Sequence, residues 1–486
     1  MSCNCFGNRP PPAAAAMPLT LRNLTSMVIR ITRTSRFPAP ASSKGVPITA
    51  GNLTNVPNLA NNLTSLLRRS PVSTVLPLKE PTARELAENA TSFETQDVSI
   101  EIQPYTASDT GVDLGAAVVV LRLEFEVSGR RFRVDLVDRR ELAPIALGDA
   151  GDIRLVAVFH RKRSHVAIVS SANLNNWMSR LRDDIGLGAL SMPGTHNAPA
   201  CYTALPSVRC QAVGITAQLE NGVRFLDIRA QPDGPGGREM ELVHANFPIA
   251  LNGPKRLSGV MQECYDFLQR NPSECIVVSL KREGRAGTND EEFSRLIKSE
   301  VVEKKRERWF IEPVIPTLGA ARGRCILFRR YHIDNALKSE HDGRGYGINA
   351  ETWTYNTPND TIFSGNICVQ DFSEVLETVN IPTKIGYVKE HLERSVNSIT
   401  AAGRDGRQPP LFVNFLSASN FWRVGTWPDR VAAKINPAIT EHLAIDHRVE
   451  GGNAGTGIVI TDFMGEGGNW TMFRLVVGMN GGLLVQ

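Results

Sequence analysis

LSMPGTHNAPACY, residues 190–202, starts as an apolar, strand-like run, turns on Pro193 and Gly194, and then presents Thr195, His196 and Asn197 in succession. A core strand has no use for that ending, and a surface loop has no use for the apolar start. The arrangement suits a strand that delivers a polar group to the mouth of a site. Seven downstream segments have a similar build: VRFLDIRAQ (223–231), MELVHA (240–245), ECIVVSLKRE (274–283), RCILFRRY (324–331), NICVQDF (366–372), PLFVNFLS (410–417) and GIVITDFM (457–464). Helical candidates lie between them, LSGVMQECYDFLQRN (257–271), EEFSRLIKSEVVEKK (291–305) and KIGYVKEHLERSVNSIT (384–400), and NLNNWMSRLRDDIGLGAL (173–190) reads as a helical approach segment. Short apolar strands alternating with helices predict a parallel α/β sheet, and this many strands favour closure into an irregular barrel.

Nearly every strand ends in a polar or charged residue: His196, Asp227 with Arg229, His244, Lys281, Arg330, Asp371 and Asp462. In a parallel barrel the C-terminal strand ends open on one face, so these side chains are expected to converge on one mouth. A core would not repeat that asymmetry on so many strands. Two histidines flanked by carboxylates and a cation allow one imidazole to take a proton while the other gives one. An arginine between them stabilises negative charge growing on phosphorus.

The N-terminal part reads differently. Residues 1–17 are Pro/Ala-rich and are expected to form a disordered tail. Over 18–170, runs such as DVSIEIQPY (97–105), AAVVVLRLEFEV (116–127), RRFRVDLV (130–137) and IRLVAVFHR (153–161) alternate in β fashion and predict a small sandwich-like domain without a catalytic constellation. GNLTNVPNLANNLTSLLRRS (51–70) and EPTARELAENA (80–90) read as loops or short helices between its strands. Residues 171–486 then form the barrel domain.

A chain of 486 residues with 42% hydrophobic and 21% charged residues is an ordinary globular protein of more than one domain. A net charge of +4, from 54 basic and 50 acidic residues, is too weak to argue for nucleic acid. The basic runs HRKRSH (160–165) and KKRER (304–308) read as solvated faces. No apolar run reaches the ~18 residues that span a bilayer, and the N-terminus lacks the pattern of a secretory signal. The eight cysteines form neither a disulfide framework nor a zinc spacing. They point to a reducing, cytoplasmic compartment, although Cys201 and Cys210 bracket a short loop and would be able to pair in an oxidising one. Cys3 and Cys5 are candidates for S-acylation, with unmodified thiols in a tail as the plainer expectation. Six N-x-S/T sequons, Asn23, Asn52 and Asn62 among them, matter only in a secreted chain.

LSMPGTHNA, VRFLDIRA, LVHA, NPSECIVVSLKRE and ARGRCILFRR, in that order, resemble the catalytic domain of phosphatidylinositol-specific phospholipase C. The similarity is to the metal-independent, bacterial-type branch and its fungal relatives with an extra N-terminal β region, and it covers roughly residues 175–480. The family fold is a distorted TIM barrel. The resemblance implies that His196 is the general base on the inositol 2-hydroxyl, oriented by Asp462, and that His244 is the general acid for the diacylglycerol oxygen. It implies that Arg229 stabilises the phosphoryl oxygens, and that Asp227 holds Arg229 or meets the 2-hydroxyl. Lys281, Arg330 and Asp371 match inositol-contacting positions, with Arg329 competing with Arg330. The expected products are diacylglycerol and inositol 1,2-cyclic phosphate, from phosphatidylinositol or a glycosylated form of it at a membrane surface. No cofactor is expected, and no calcium, because Arg229 and Lys281 stand where the calcium-dependent relatives place carboxylates. Two departures stand out. Asn197 replaces an Asp that supports the second histidine, and is expected to orient His244 as a neutral amide; Ser373 stands where the family often has an inositol-stacking aromatic. The alternatives are a phosphodiesterase of the same fold acting on another lipid head group, and a catalytically weak lipid-binding scaffold. Trp422 and Trp427 are candidates for a rim at the lipid interface, or for ordinary packing.

Overall fold

A computed structural model describes residues 18–38, 93–115, 118–137, 141–170, 173–234, 236–284, 289–449 and 455–483. Cys3, Cys5, Asn52, Asn62 and the two segments at 51–70 and 80–90 lie outside the described residues. The chain forms the expected β sandwich followed by an irregular barrel. One sheet of the sandwich runs in the order Ala107–Asp113, Pro18–Leu24, His165–Ser170, Leu155–His160, Glu141–Leu142. The other runs Glu94–Ile102, Ile29–Pro38, Val118–Val127, Arg130–Leu136, Ile145–Ala146. Alternate residues of both sheets meet in a core of Leu21, Ile31, Leu123, Phe125, Phe132, Val134 and Ile168.

His165–Ser170 and Leu155–His160 are apolar on both faces because they serve two cores. Val166, Ile168 and Phe159 point into the sandwich. Ala167, Val169, Val156 and Val158 point the other way and join the packing around the barrel helices. Gly478, in the helix Thr471–Gly478, approaches so closely that a Cβ there would lie 2.2 Å from Val169 Cγ2. Arg22 completes the junction: its guanidinium donates to the carbonyls of Leu443 and Ala444, which the end of the helix Pro428–Ile445 leaves without intrahelical partners, and to that of His447 just beyond it.

The barrel sheet runs Cys325–Arg330, Ile276–Arg282, Phe225–Pro232, Met192–Thr195, Ile458–Thr461, Leu411–Phe415, Ile367–Asp371, and neighbours along this path are parallel. Among the described residues Cys325–Arg330 and Ile367–Asp371 are not paired. The first carries the short parallel strand Ile348–Asn349 and the second the antiparallel strand Thr357–Ile362, so the ring stays open there. Met192, Phe225, Val277, Phe328, Val413 and Ile460 fill the barrel interior. Leu226, Val278, Leu327 and Val459, each one residue along, pack outward under the helices. Gly194 faces inward where a Cβ would meet Ile460 at 3.0 Å and Phe225 at 3.2 Å, so the interior layer has room only for hydrogen there.

Three elements differ from expectation. Met240–His244 is not a barrel strand: it pairs antiparallel with the C-terminal half of Phe225–Pro232, Ala230 opposite Leu242 and Pro232 opposite Met240. The chain runs past the rim, turns, and comes back. His244 therefore reaches the mouth from a returning hairpin arm. The approach segment is not an α-helix but two 3-10 turns, Leu174–Arg180 and Leu187–Ala189, with Asn176 breaking the first. Its backbone is anchored from outside, the Met178 N–H donating to the buried carboxylate of Glu274. The helices Leu257–Arg270 and Ile381–Asp405 form as expected, whereas the segment from Glu291 is α-helical only to Leu296 and continues through a π turn.

Candidate active site

The inward parity that builds the barrel interior also sets the site. Two residues beyond Phe225 comes Asp227, and two beyond that Arg229; Val277 leads in the same way to Lys281, Phe328 to Arg330, Val369 to Asp371 and Ile460 to Asp462. The polar residues are the top of the inward-facing column on each strand. The same rule sends Arg329 and Arg330 to opposite sides of the strand. Arg329 points outward and is bound by the Tyr331 and Tyr346 carbonyls and by Glu351. Arg330 points inward, its guanidinium carbon 3.9 Å from the centroid of the Trp353 ring.

His196 and His244 meet edge to face with ring centroids 5.6 Å apart. Nδ1 of His196 shares a 2.8 Å hydrogen bond with Oδ1 of Asp462. Burial, with Arg229 and His244 nearby, holds the His196 imidazole well below its usual range, so it rests neutral. Burial likewise pushes the Asp462 carboxyl up, against the pull of Arg229 and Lys384. His244 Nδ1 lies 2.8 Å from the Val208 carbonyl oxygen. A carbonyl only accepts, so Nδ1 carries a proton and Nε2 is the atom free to exchange one. Burial and Arg229 lower the His244 pKa, while Glu283 and the Val208 carbonyl oppose them.

Asn197 does not touch the imidazole it was expected to orient. Its Nδ2 donates to the carbonyl of Val243, the residue before His244, at 3.2 Å, and the Val208 carbonyl is what binds the ring. Asn197 is itself buried at φ +35°, its backbone N–H bound to Asp227 Oδ2 at 3.1 Å. Asp227, also fully buried, braces two cations: Oδ2 lies 3.2 Å from Arg229 Nε and Oδ1 lies 2.9 Å from Arg330 Nη1. These contacts of Asp227 are all internal: it braces Arg229, Arg330 and the Asn197 backbone from beneath the cleft.

Glu283 is the residue that sequence reasoning missed. Its Oε1 binds Arg229 Nη1 at 3.0 Å and Lys281 Nζ at 2.7 Å, and Oε2 accepts the Ala245 N–H at 2.9 Å. One carboxylate thereby ties Arg229 and Lys281 to the turn behind His244. Those cations hold its carboxyl well below the usual range. The signal was present in SLKRE, where the acid follows Lys281 at the same parity. Trp353 was missed too: its Nε1 donates to Asp371 Oδ2 at 3.2 Å while its face covers Arg330, so it fixes two of the expected binding residues.

His196, His244, Arg229, Lys281, Arg330, Asp371 and Asp462 line one cleft of about 700 Å³, with Glu283, Trp353, Tyr355, Ser373 and Glu374 in its wall. The volume suits a small polar head group. The described cysteines, Cys201 and Cys210 included, are free thiols.

Residues 191–331 match the family model described as phosphatidylinositol-specific phospholipase C, X domain. This part of the chain is such an X domain. Its span holds the general-base candidate, the hairpin and the strands through Arg330. The wider chain is 28% identical over 313 residues to a 1-phosphatidylinositol phosphodiesterase of Listeria monocytogenes, covering 61% of this chain and 83% of that one. It is 24% identical over 322 residues to the protein of the same name from Staphylococcus aureus strain Newman, covering 62% and 92%. A solved phosphatidylinositol-specific phospholipase C of Staphylococcus aureus superposes with a TM-score of 0.51 at 22% identity, over 63% of this chain and 98% of that one, which shows the shared barrel fold. The X-domain match ends at Tyr331, so Asp371 and Asp462 lie beyond it.

Proposed function

We propose that the protein cleaves phosphatidylinositol, or the glycosylated lipids built on it, to diacylglycerol and inositol 1,2-cyclic phosphate, and that the His196–His244 pair is the acid–base machinery. The observation that carries this is two imidazoles at 5.6 Å with opposite fixed partners, a carboxylate on one and a carbonyl on the other, beside Arg229. His196, neutral at rest, takes the proton of the inositol 2-hydroxyl at Nε2, and Asp462 orients the ring and stabilises the imidazolium that forms. The 2-oxygen attacks phosphorus. Arg229, held by Asp227 and Glu283, meets the charge that grows on the phosphoryl oxygens. His244 gives its Nε2 proton to the departing diacylglycerol oxygen. The anionic diester raises the proton affinity of both imidazoles when it binds, which charges the acid at the moment it is needed.

Lys281, Arg330 and Asp371 are the proposed contacts for the inositol hydroxyls, in a wall that also presents Glu374 and Tyr355, whose hydroxyl donates to Glu374 at 2.6 Å. Exposed apolar residues form part of the rim of the mouth: Trp422 is 86% exposed and Leu376 62%. We read this rim as the face that meets the bilayer. The free thiols support the cytoplasmic placement suggested by the sequence. No helix among the described residues is long and apolar enough to cross a membrane. The test is a head-group panel. Vesicles of phosphatidylinositol, phosphatidylcholine and phosphatidylethanolamine are each incubated with the full chain, and water-soluble phosphate ester is measured. Release from phosphatidylinositol alone supports the proposal; release from another head group and not from phosphatidylinositol rejects it.

A further inference from the structure

Behind the two imidazoles sits a group that the acid–base chemistry leaves unused. Cys210 is fully buried, its Sγ 3.4 Å from the Val208 carbonyl oxygen and 3.5 Å from Nδ1 of His244. One ligand atom each from His196, Cys210 and His244 lie within 4.8 Å of one another, and no other such group of three His, Cys or carboxylate residues occurs among the described residues. A tetrahedral ion with a thiolate bond of ~2.3 Å and an imidazole bond of ~2.0 Å sets those two ligand atoms about 3.5 Å apart. That is the spacing Sγ and Nδ1 already have. His196 has the outer-shell arrangement of a metal-binding histidine, a carboxylate on one ring nitrogen that leaves the other available. Two nitrogens and a sulfur favour zinc-like ions and disfavour calcium or magnesium, which take oxygen ligands.

We propose that His196, Cys210 and His244 form an inhibitory binding site for a thiophilic divalent cation of the zinc class. Binding replaces the Cys210 thiol proton, which leaves to solvent, by a metal–sulfur bond. At His244 the ring proton moves from Nδ1 to Nε2 as Nδ1 takes the ion. His196 coordinates through Nε2, the atom assigned above to the 2-hydroxyl proton. Three protein ligands leave a fourth position for water. The inhibition rests on the proposed acid–base role of the histidines; the binding itself does not.

The experiment titrates chelator-treated full-length protein with cobalt(II) and follows absorption, then titrates zinc against phosphatidylinositol turnover. The expected result is one equivalent of cobalt with a thiolate-to-cobalt charge-transfer band, displaced by zinc, and loss of turnover over the same zinc range. Cys210→Ser should abolish the band and weaken zinc inhibition by more than about 100-fold, since even an outer-shell partner is worth ~10–100-fold in affinity. Cys201→Ser should keep both. Absence of a thiolate–cobalt band in the unmodified protein overturns the proposal, as does a band that persists in Cys210→Ser or disappears in Cys201→Ser. Should Cys210→Ser not fold, Cys210→Ala replaces it, and the unmodified protein alone still decides. The band is read without lipid, so the site stands or falls separately from the phospholipase activity.

Discussion

His196 and His244 lie side by side yet face different demands, and their surroundings divide the work. Both imidazoles are held below their ordinary range by burial and by Arg229. For the base this is an advantage, because it stays unprotonated to low pH. For the acid it is a cost, because the proton it must give is lost as pH rises through its lowered value. The sign is therefore definite for the free enzyme: kcat/KM rises with pH as His196 deprotonates and falls again as His244 deprotonates, with both limbs below about 6.5. The profile of kcat, which reports the complex with the anionic diester, should lie at higher pH. Initial rates from pH 4 to 9 at low and saturating phosphatidylinositol check this; a kcat/KM still rising above pH 8 contradicts it. Glu283 gives a second prediction at this scale. Glu283→Gln removes the charge that ties Arg229, Lys281 and the Ala245 turn together, and kcat should fall ~10–100-fold, the size expected when reacting groups shift by about an ångström. Stopped assays measure it, and an unchanged kcat would show that the brace is dispensable.

At the scale of the element, the period of two along each barrel strand is the controlling fact. It places Asp227, Arg229, Lys281, Arg330, Asp371 and Asp462 inward, and this much was legible from the sequence once the strands were recognised. It also buries polar groups on the outer side. Gln370 and Asn414, each one residue from an inward position, bond to each other, and Lys384 of the helix Ile381–Asp405 donates to Gln370 Oε1 at 2.9 Å. Lys384 is fully buried, and burial lowers its pKa to about 7. An unfolded lysine titrates near ~10.4. Between these values the unfolded chain binds more protons, so stability falls as pH drops from about 10 to 7 and the penalty is constant below. Lys384→Met should stabilise the fold at pH 7 by about 1–4 kcal/mol, and its advantage should shrink toward pH 10. Urea unfolding at the two pH values measures this, and an equal advantage at both would contradict it. What was not legible was the return of Met240–His244. An apolar run ending in a histidine looks the same whether it is a parallel barrel strand or the second arm of a hairpin, because the period of side chains does not carry direction. The carbonyl of Val208 was invisible for a related reason: backbone acceptors leave no trace in residue type.

For the whole molecule, the sandwich and the barrel are joined by shared packing. The sandwich shares two of its strands with the packing around the barrel helices, and Arg22 closes a helix end on the barrel side. The mouth of the cleft carries exposed Trp422 and Leu376. Trp422→Ala should weaken vesicle binding about tenfold, the value of burying a large apolar side chain, and leave turnover of a soluble monomeric substrate unchanged. Vesicle sedimentation and a soluble-substrate assay separate the two effects; equal loss in both would make Trp422 a packing residue instead. Trp427 answers the other half of the sequence expectation, since its Nε1 is bound to the Phe421 carbonyl within the same loop. The rim was readable only in part because exposure depends on what neighbouring loops cover.

The central claim is that His196 and His244 pass a proton in and out around an attack by the inositol 2-hydroxyl. It is tested most directly by phosphorus NMR of phosphatidylinositol vesicles with the full chain in excess EDTA, alongside His196→Ala and His244→Ala. The first product signal should be that of a five-membered cyclic phosphodiester, it should survive the chelator, and it should be absent in both variants. A first product that is acyclic inositol phosphate, or a cyclic signal undiminished in either variant, would contradict the account.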